Sequence, residues 1–134
     1  MSYSQFTSIG KVKEAFGLKT QEGGRFIPVL EKIEPSVTLK AYLEESLPLA
    51  GSASEKARSE GIIYPVLLEV RRILDRQVSL FSGEDFTVDE SVGLNGICDF
   101  LLSSSPEVLE IEAPVMVIVE AKKADLRTGF GQCI

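Results

Sequence analysis

Three charged residues stand where a packed core should leave none. Asp99 interrupts the apolar run Ile97–Leu102, between Cys98 and Phe100. Glu120 and Lys122 close the most apolar run of the chain, Val115–Val119, as Glu-Ala-Lys. If these runs are strands, residues two apart share a face, so Glu120 and Lys122 point one way and Ala121 the other. An unpaired carboxylate is costly to bury, so such groups pair, hold a metal or emerge at a strand end. With the two strands adjacent, one cluster would hold two carboxylates and an ammonium. That set suits metal-assisted phosphodiester cleavage, with a carboxylate pair for a divalent cation and a lysine that orients water or stabilises charge. The plainer alternatives are a solvated strand rim for Glu-Ala-Lys and a turn hydrogen bond for Asp99.

Histidine is absent, which excludes Ser/His and Cys/His catalysis and His-ligated zinc within this chain. The two cysteines, Cys98 and Cys133, form no CxxC pair and read as two buried thiols. Any metal must therefore be held by oxygen, which selects Mg²⁺ or Mn²⁺.

The elements that must position these residues follow from period and punctuation. Residues 1–50 read as a small, mostly helical lead-in. Thr7 or Ser8 caps a helix with Ile9, Val12 and Phe16 on one face and Gly17 at its end. Gly23 and Gly24 mark a turn, and Phe26–Ile33, broken by Pro28, reads as an edge strand or irregular segment. Ser36 caps a helix carrying Leu39, Leu43 and Leu47, which Pro48 should stop. Residues 51–134 then form an α/β core. The Ser-x-x-Glu box at Ser52–Glu55 announces a helix with Ile62, Ile63, Val66, Leu67, Val70, Ile73 and Leu74 as its apolar stripe. Pro65 should kink that helix near Gly61 or restart it. Three strands are expected after it, over Asp85–Ser91, Gly96–Leu102 and Val115–Val119, the last two buried on both faces. Asn95-Gly96 fits a tight turn between the first two, and another helix should begin near Thr128.

Of the 134 residues, 44% are hydrophobic and 25% charged, enough apolar surface for one packed domain. No run approaches the length of a membrane span, and the N-terminus lacks a signal peptide's apolar region. The expected setting is cytoplasmic, without membrane. A net charge of −6 argues against a general nucleic-acid coat, though not against a local basic groove.

In three stretches, SEGIIYPVLLEV, LNGICDFLLS and VIVEAKKADLRTGFGQC, the chain resembles the PD-(D/E)XK nuclease superfamily, in a bacterial branch of largely hypothetical proteins. The likeness spans residues 54–134. It implies a restriction-endonuclease-like core of a helix, a three-stranded mixed sheet and the start of a following helix. By this resemblance Asp99 and Glu120 are metal carboxylates, helped by the Ala121 carbonyl, and Lys122 is the catalytic lysine. Glu60 completes the site in preference to Glu69, which is expected at the surface near Arg72, and Gln132 matches the glutamine on the next helix. The implied activity is Mg²⁺- or Mn²⁺-dependent hydrolysis of DNA. The superfamily continues with a helix and at least one further strand, so the C-terminal part of the fold is expected to be missing here. Added sequence or a homo-oligomer would cover that incomplete layer. Two rival expectations are a nuclease-fold module that binds DNA or protein without cleaving, and a structural or regulatory oligomer whose cluster is a buried ion pair.

Overall fold

The Ser8 hydroxyl accepts the Lys11 N–H at 3.3 Å and opens helix α1, Ile9–Phe16. Gly17 closes it at φ 63°, a left-handed turn that a side chain would strain. The computed structural model describes residues 3–122 and Cys133. The expected helix near Thr128, and Gln132 with it, lie outside the described residues. Residues 26–33 form no regular element and stand exposed.

Ser36 caps helix α2, Val37–Ala50, through the Leu39 N–H. Pro48 lies inside this helix instead of stopping it. A proline forfeits the bond to the carbonyl four residues back, and so near a C-terminus that loss ends little. The next cap falls at Ser54 and not Ser52, with the Ser54 hydroxyl accepting the Ala57 N–H at 3.1 Å. Helix α3, Glu55–Arg58, runs into a π-helical turn, Ser59–Ile63, and then into α4, Tyr64–Ile73. This is the interruption expected at Pro65, which occupies the first turn of α4 where its missing N–H costs least. The Gly61 carbonyl, left without a helical partner by that proline, accepts the Ser46 hydroxyl of α2.

After α4 the period changes to strands β1 (Ser79–Asp85), β2 (Ile97–Ser103) and β3 (Val115–Val119), in the order β1-β2-β3. Both pairings are antiparallel, so among the described residues the sheet is not mixed. A parallel pair needs a crossover, usually helical, and neither connection between these strands contains one. β1 also begins before the expected Asp85. Ser79 and Phe81 are its buried residues, Leu80 is partly buried, and Gly83, at φ 67°, breaks the alternation that would have marked it. The hairpin tip sits at Asp89–Leu94 and not at Asn95-Gly96. There the Asp89 carboxylate accepts the Ser91 N–H at 2.9 Å, and Gly93 turns the chain at φ 82°.

β2 is the central strand and the best buried, with Phe100, Leu101, Leu102 and Ser103 nearly inaccessible. On its helical side Phe100 and Leu102 meet Leu67, Val78, Ile63, Val70 and Val119. On the other, Leu101 and Cys98 pack with Phe81, Phe86, Ile111, Ile118 and Tyr3. The apolar stripe of α4 is narrower than the sequence suggests, since Val66, Ile73 and Leu74 stay partly exposed. β3 is not buried on both faces either: Met116 is 46% and Val117 42% exposed, as befits the edge of the described sheet. Glu69 is buried rather than superficial. Its carboxylate accepts the Ser36 N–H and hydroxyl and the Arg72 guanidinium, tying α4 to the start of α2.

Helix α2 approaches the π turn so closely that a Cβ on Gly61 would meet the Ala50 Cβ at 2.9 Å. Gly61→Ala is expected to lower unfolding stability by about 1–3 kcal/mol through overpacking, read in urea titrations. Ala50→Gly should cost less in that background than in the parent chain, because it removes the atom that clashes.

Candidate active site

The register of β2 on β3 pairs Phe100 with Val119, so the next step along brings Asp99 level with Glu120. Asp99 uses that position to accept the Ala121 N–H at 2.8 Å, a side-chain bond just beyond the end of the strand ladder. The Glu120 carboxyl lines the same cleft as Asp99 and feels its charge. Burial first, and the Asp99 charge second, push its pKa up to about 7, while the Lys122 ammonium pulls the other way. Burial first, and then the charges of Glu120 and Asp99, raise the buried Cys98 thiol to about 11. Cys98 therefore stays protonated and is no nucleophile. Cys133 is free and exposed, which corrects the expectation of two buried thiols.

Asp99, Glu120, Ala121 and Lys122 line one cleft of about 560 Å³ between the sheet and the α3–α4 helical segment. Glu60 lines it too, from the π turn, together with Lys56, Tyr64, Ser82 and Gly83. Glu55, at the start of α3, lines it as well, whereas Glu69 does not, so of Glu60 and Glu69 it is Glu60 that faces the cleft. Its carboxylate lies 3.8 Å from Lys56 Nζ, an exposed pair at helical spacing. It is not gathered into the Asp99–Glu120 pair, and among the described residues no group of three or more His, Cys, Asp or Glu side chains is placed to hold a metal.

Arg58 is a residue that reading the sequence missed. Its guanidinium donates to the Lys122 carbonyl at 3.4 Å and to the Gly51 carbonyl at 2.8 Å, so it joins the end of α2 to the backbone of the lysine. Its one local signal is its place one turn into the helix that Ser54 caps. Nothing in composition or period distinguishes it from a solvated arginine.

Two carboxylates held together against their repulsion form a site that takes up either a proton or a cation. Two hard carboxylate donors fit Mg²⁺, which keeps several waters and needs few protein carboxylates, and the neighbouring thiols of Cys98 and Cys133 are both shifted toward their protonated form.

A carboxyl whose folded pKa lies above its unfolded value contributes stability that is present at low pH and lost as pH rises through the folded pKa. The metal-free protein is therefore expected to melt at lower temperature as pH rises from about 5 to about 8. Glu120→Gln should flatten that dependence, and Mg²⁺ should raise the melting temperature of the parent most at the alkaline end. Differential scanning calorimetry across this pH range, with EDTA or Mg²⁺, reads all three.

No family model, curated protein or solved structure matches this chain.

Proposed function

We propose that the chain is a metal-dependent phosphodiesterase of DNA, built on a core of the restriction-endonuclease type. The observation that carries this reading is the juxtaposition of Asp99 and Glu120 in one cleft with Lys122 beside them. Asp99 and Glu120 would hold Mg²⁺, with the Ala121 carbonyl as a further oxygen. The bound ion would supply Lewis-acid polarisation of the scissile phosphate. The chain's own groups do the rest. The Ala121 N–H fixes one oxygen of Asp99 and leaves the second for the cation. Lys122 orients the attacking water and stabilises the charge that builds on the phosphorane. Arg58 holds the Lys122 backbone in place. Glu60, on the opposite wall, is near enough to the cleft to join through water once Lys56 releases it.

A second reading has the same cleft binding DNA without cleaving it. The ion pair between Glu60 and Lys56 favours it, since it keeps a third carboxylate out of the metal site. The two readings separate on Lys122→Ala. Under the first, cleavage of single- or double-stranded DNA in Mg²⁺ should fall by about 10²–10³-fold, with the melting temperature and much of the Mg²⁺ affinity kept. If Lys122 only neutralises the carboxylates, its loss should lower the melting temperature, and Mg²⁺ should restore it. A parent chain that cleaves neither substrate moves the assignment to the binding module.

A further inference from the structure

A second groove, of about 720 Å³, runs between α2 and α4 and shares Glu60 and Tyr64 with the first cleft. Its walls carry Tyr42, Leu68, Arg71, Arg72 and Arg76. The chain has a net charge of −6, yet this groove carries three arginines against two glutamates, and those are already paired, Glu69 with Arg72 and Glu60 with Lys56, so its balance is locally basic. Each arginine is held differently. Arg71 is braced through its Nε to the Val78 carbonyl at 3.1 Å. Arg72 is half exposed and paired with Glu69, which the Ser36 hydroxyl and N–H also bind. Arg76 follows Asp75 in a left-handed turn, with φ 53° and 59° at two residues that both carry a Cβ. That conformation is disfavoured for such residues, and here it ends α4 and sets Arg76 at the groove.

The same groove carries two aromatic rings, Tyr42 from α2 and Tyr64 at the start of α4, toward the first cleft. Tyr42 is 48% and Tyr64 39% exposed, with the Tyr64 ring tilted against Phe100 at 6.3 Å. Guanidinium groups and accessible aromatic rings on one groove match one polymer chemistry: phosphates together with unstacked bases. A duplex offers the phosphates but hides its base faces in the stack. We infer that this groove binds a single strand of DNA and leads it past Tyr64 into the Asp99–Glu120 cleft. The destination rests on the phosphodiesterase reading, and the binding on the groove alone.

The test uses the full chain in EDTA, with fluorescein-labelled oligothymidylate and a duplex of equal length, followed by anisotropy at several salt concentrations. The single strand should bind more tightly than the duplex. Arg76→Ala should weaken single-strand binding and reduce the slope of log affinity against log salt by about 0.7, one phosphate contact on a single strand. Tyr42→Ala should weaken it about fivefold or more, the loss of one stacked base, without changing the slope. Both side chains are exposed, and circular-dichroism melting curves should coincide with the parent's. Equal binding of duplex and single strand overturns the inference, as do variants that bind like the parent. Loss on Arg76→Ala with none on Tyr42→Ala overturns it too, leaving a phosphate patch that stacks no base. Binding that responds to both changes in a chain that never cleaves upholds the groove and removes the phosphodiesterase reading. Mg²⁺-dependent cleavage unaffected by either change keeps that reading and overturns the inference that the groove leads the strand into the cleft.

Discussion

The bond from the Ala121 N–H to the Asp99 carboxylate ties the central strand to the segment that carries Glu120 and Lys122. After Val119 the β2–β3 ladder ends, and the next backbone donor on that side goes to a side chain rather than to a carbonyl. A buried N–H must find an acceptor, and Asp99 is the acceptor the central strand offers. The residue before that donor is Glu120 and the residue after it Lys122, so fixing Ala121 fixes both. It also divides the labour of the pair. Asp99 is partly satisfied by the chain itself, and the conflict between burial and like charge then shows at Glu120, where the proton is held up to about pH 7. A cation can replace that proton, and a core of hydrocarbon cannot.

The facing wall depends on a second constraint, the proline at the start of α4. Pro65 cannot donate, and the helix before it opens into a π turn in which the Tyr64 N–H reaches back to the Ser59 carbonyl. Such turns are rare because their geometry is poor, and they persist where neighbouring structure holds them. Here α2 does the holding, through Ser46 on the Gly61 carbonyl and through the contact that only a glycine permits against Ala50. The lead-in helix is thereby part of how Glu60 and Tyr64 are placed. Glu69, one helical stretch further on, is used for anchoring: its bonds to Ser36 fix where α2 begins.

Much of this was legible in the residues. Asp99, Glu120 and Lys122 were conspicuous because charge in an apolar run has few physical explanations, and they do line one cleft. The caps at Ser8 and Ser36 and the break before Pro65 follow from local chemistry that tertiary structure did not override. The failures are equally physical. β1 was hidden because Ser79, Ser82 and Gly83 dilute its pattern, and burial of Ser79 is made tolerable by backbone acceptors at Ser105 and Glu107 that lie far along the chain. Glu69 was misjudged because its partner, Ser36, is remote in sequence. Arg58 was invisible for the same reason, its acceptors being the carbonyls of Gly51 and Lys122. Local signals reveal which groups are out of place, whereas long-range hydrogen bonds decide which polar groups are at home.

Net charge is a poor guide to what such a molecule binds. At physiological ionic strength the field of an exposed charge is screened over about 8 Å. Acidic residues on distant surfaces therefore contribute little at the cleft, and the −6 of the whole chain does not describe its local potential. Along the α2–α4 groove the carboxylates are already engaged, Glu69 by Ser36 and Arg72 and Glu60 by Lys56, so the groove's acidic groups are largely compensated within the protein. At its far end the situation reverses, because Asp99 and Glu120 meet there with Lys122 as the one ammonium that acts on the pair. A polyanion laid along this path would pass from a basic wall to a centre that repels it until a divalent cation is present. On the phosphodiesterase reading, the juxtaposition that favours a cation at this centre would also make cation binding the condition for a phosphate to settle there.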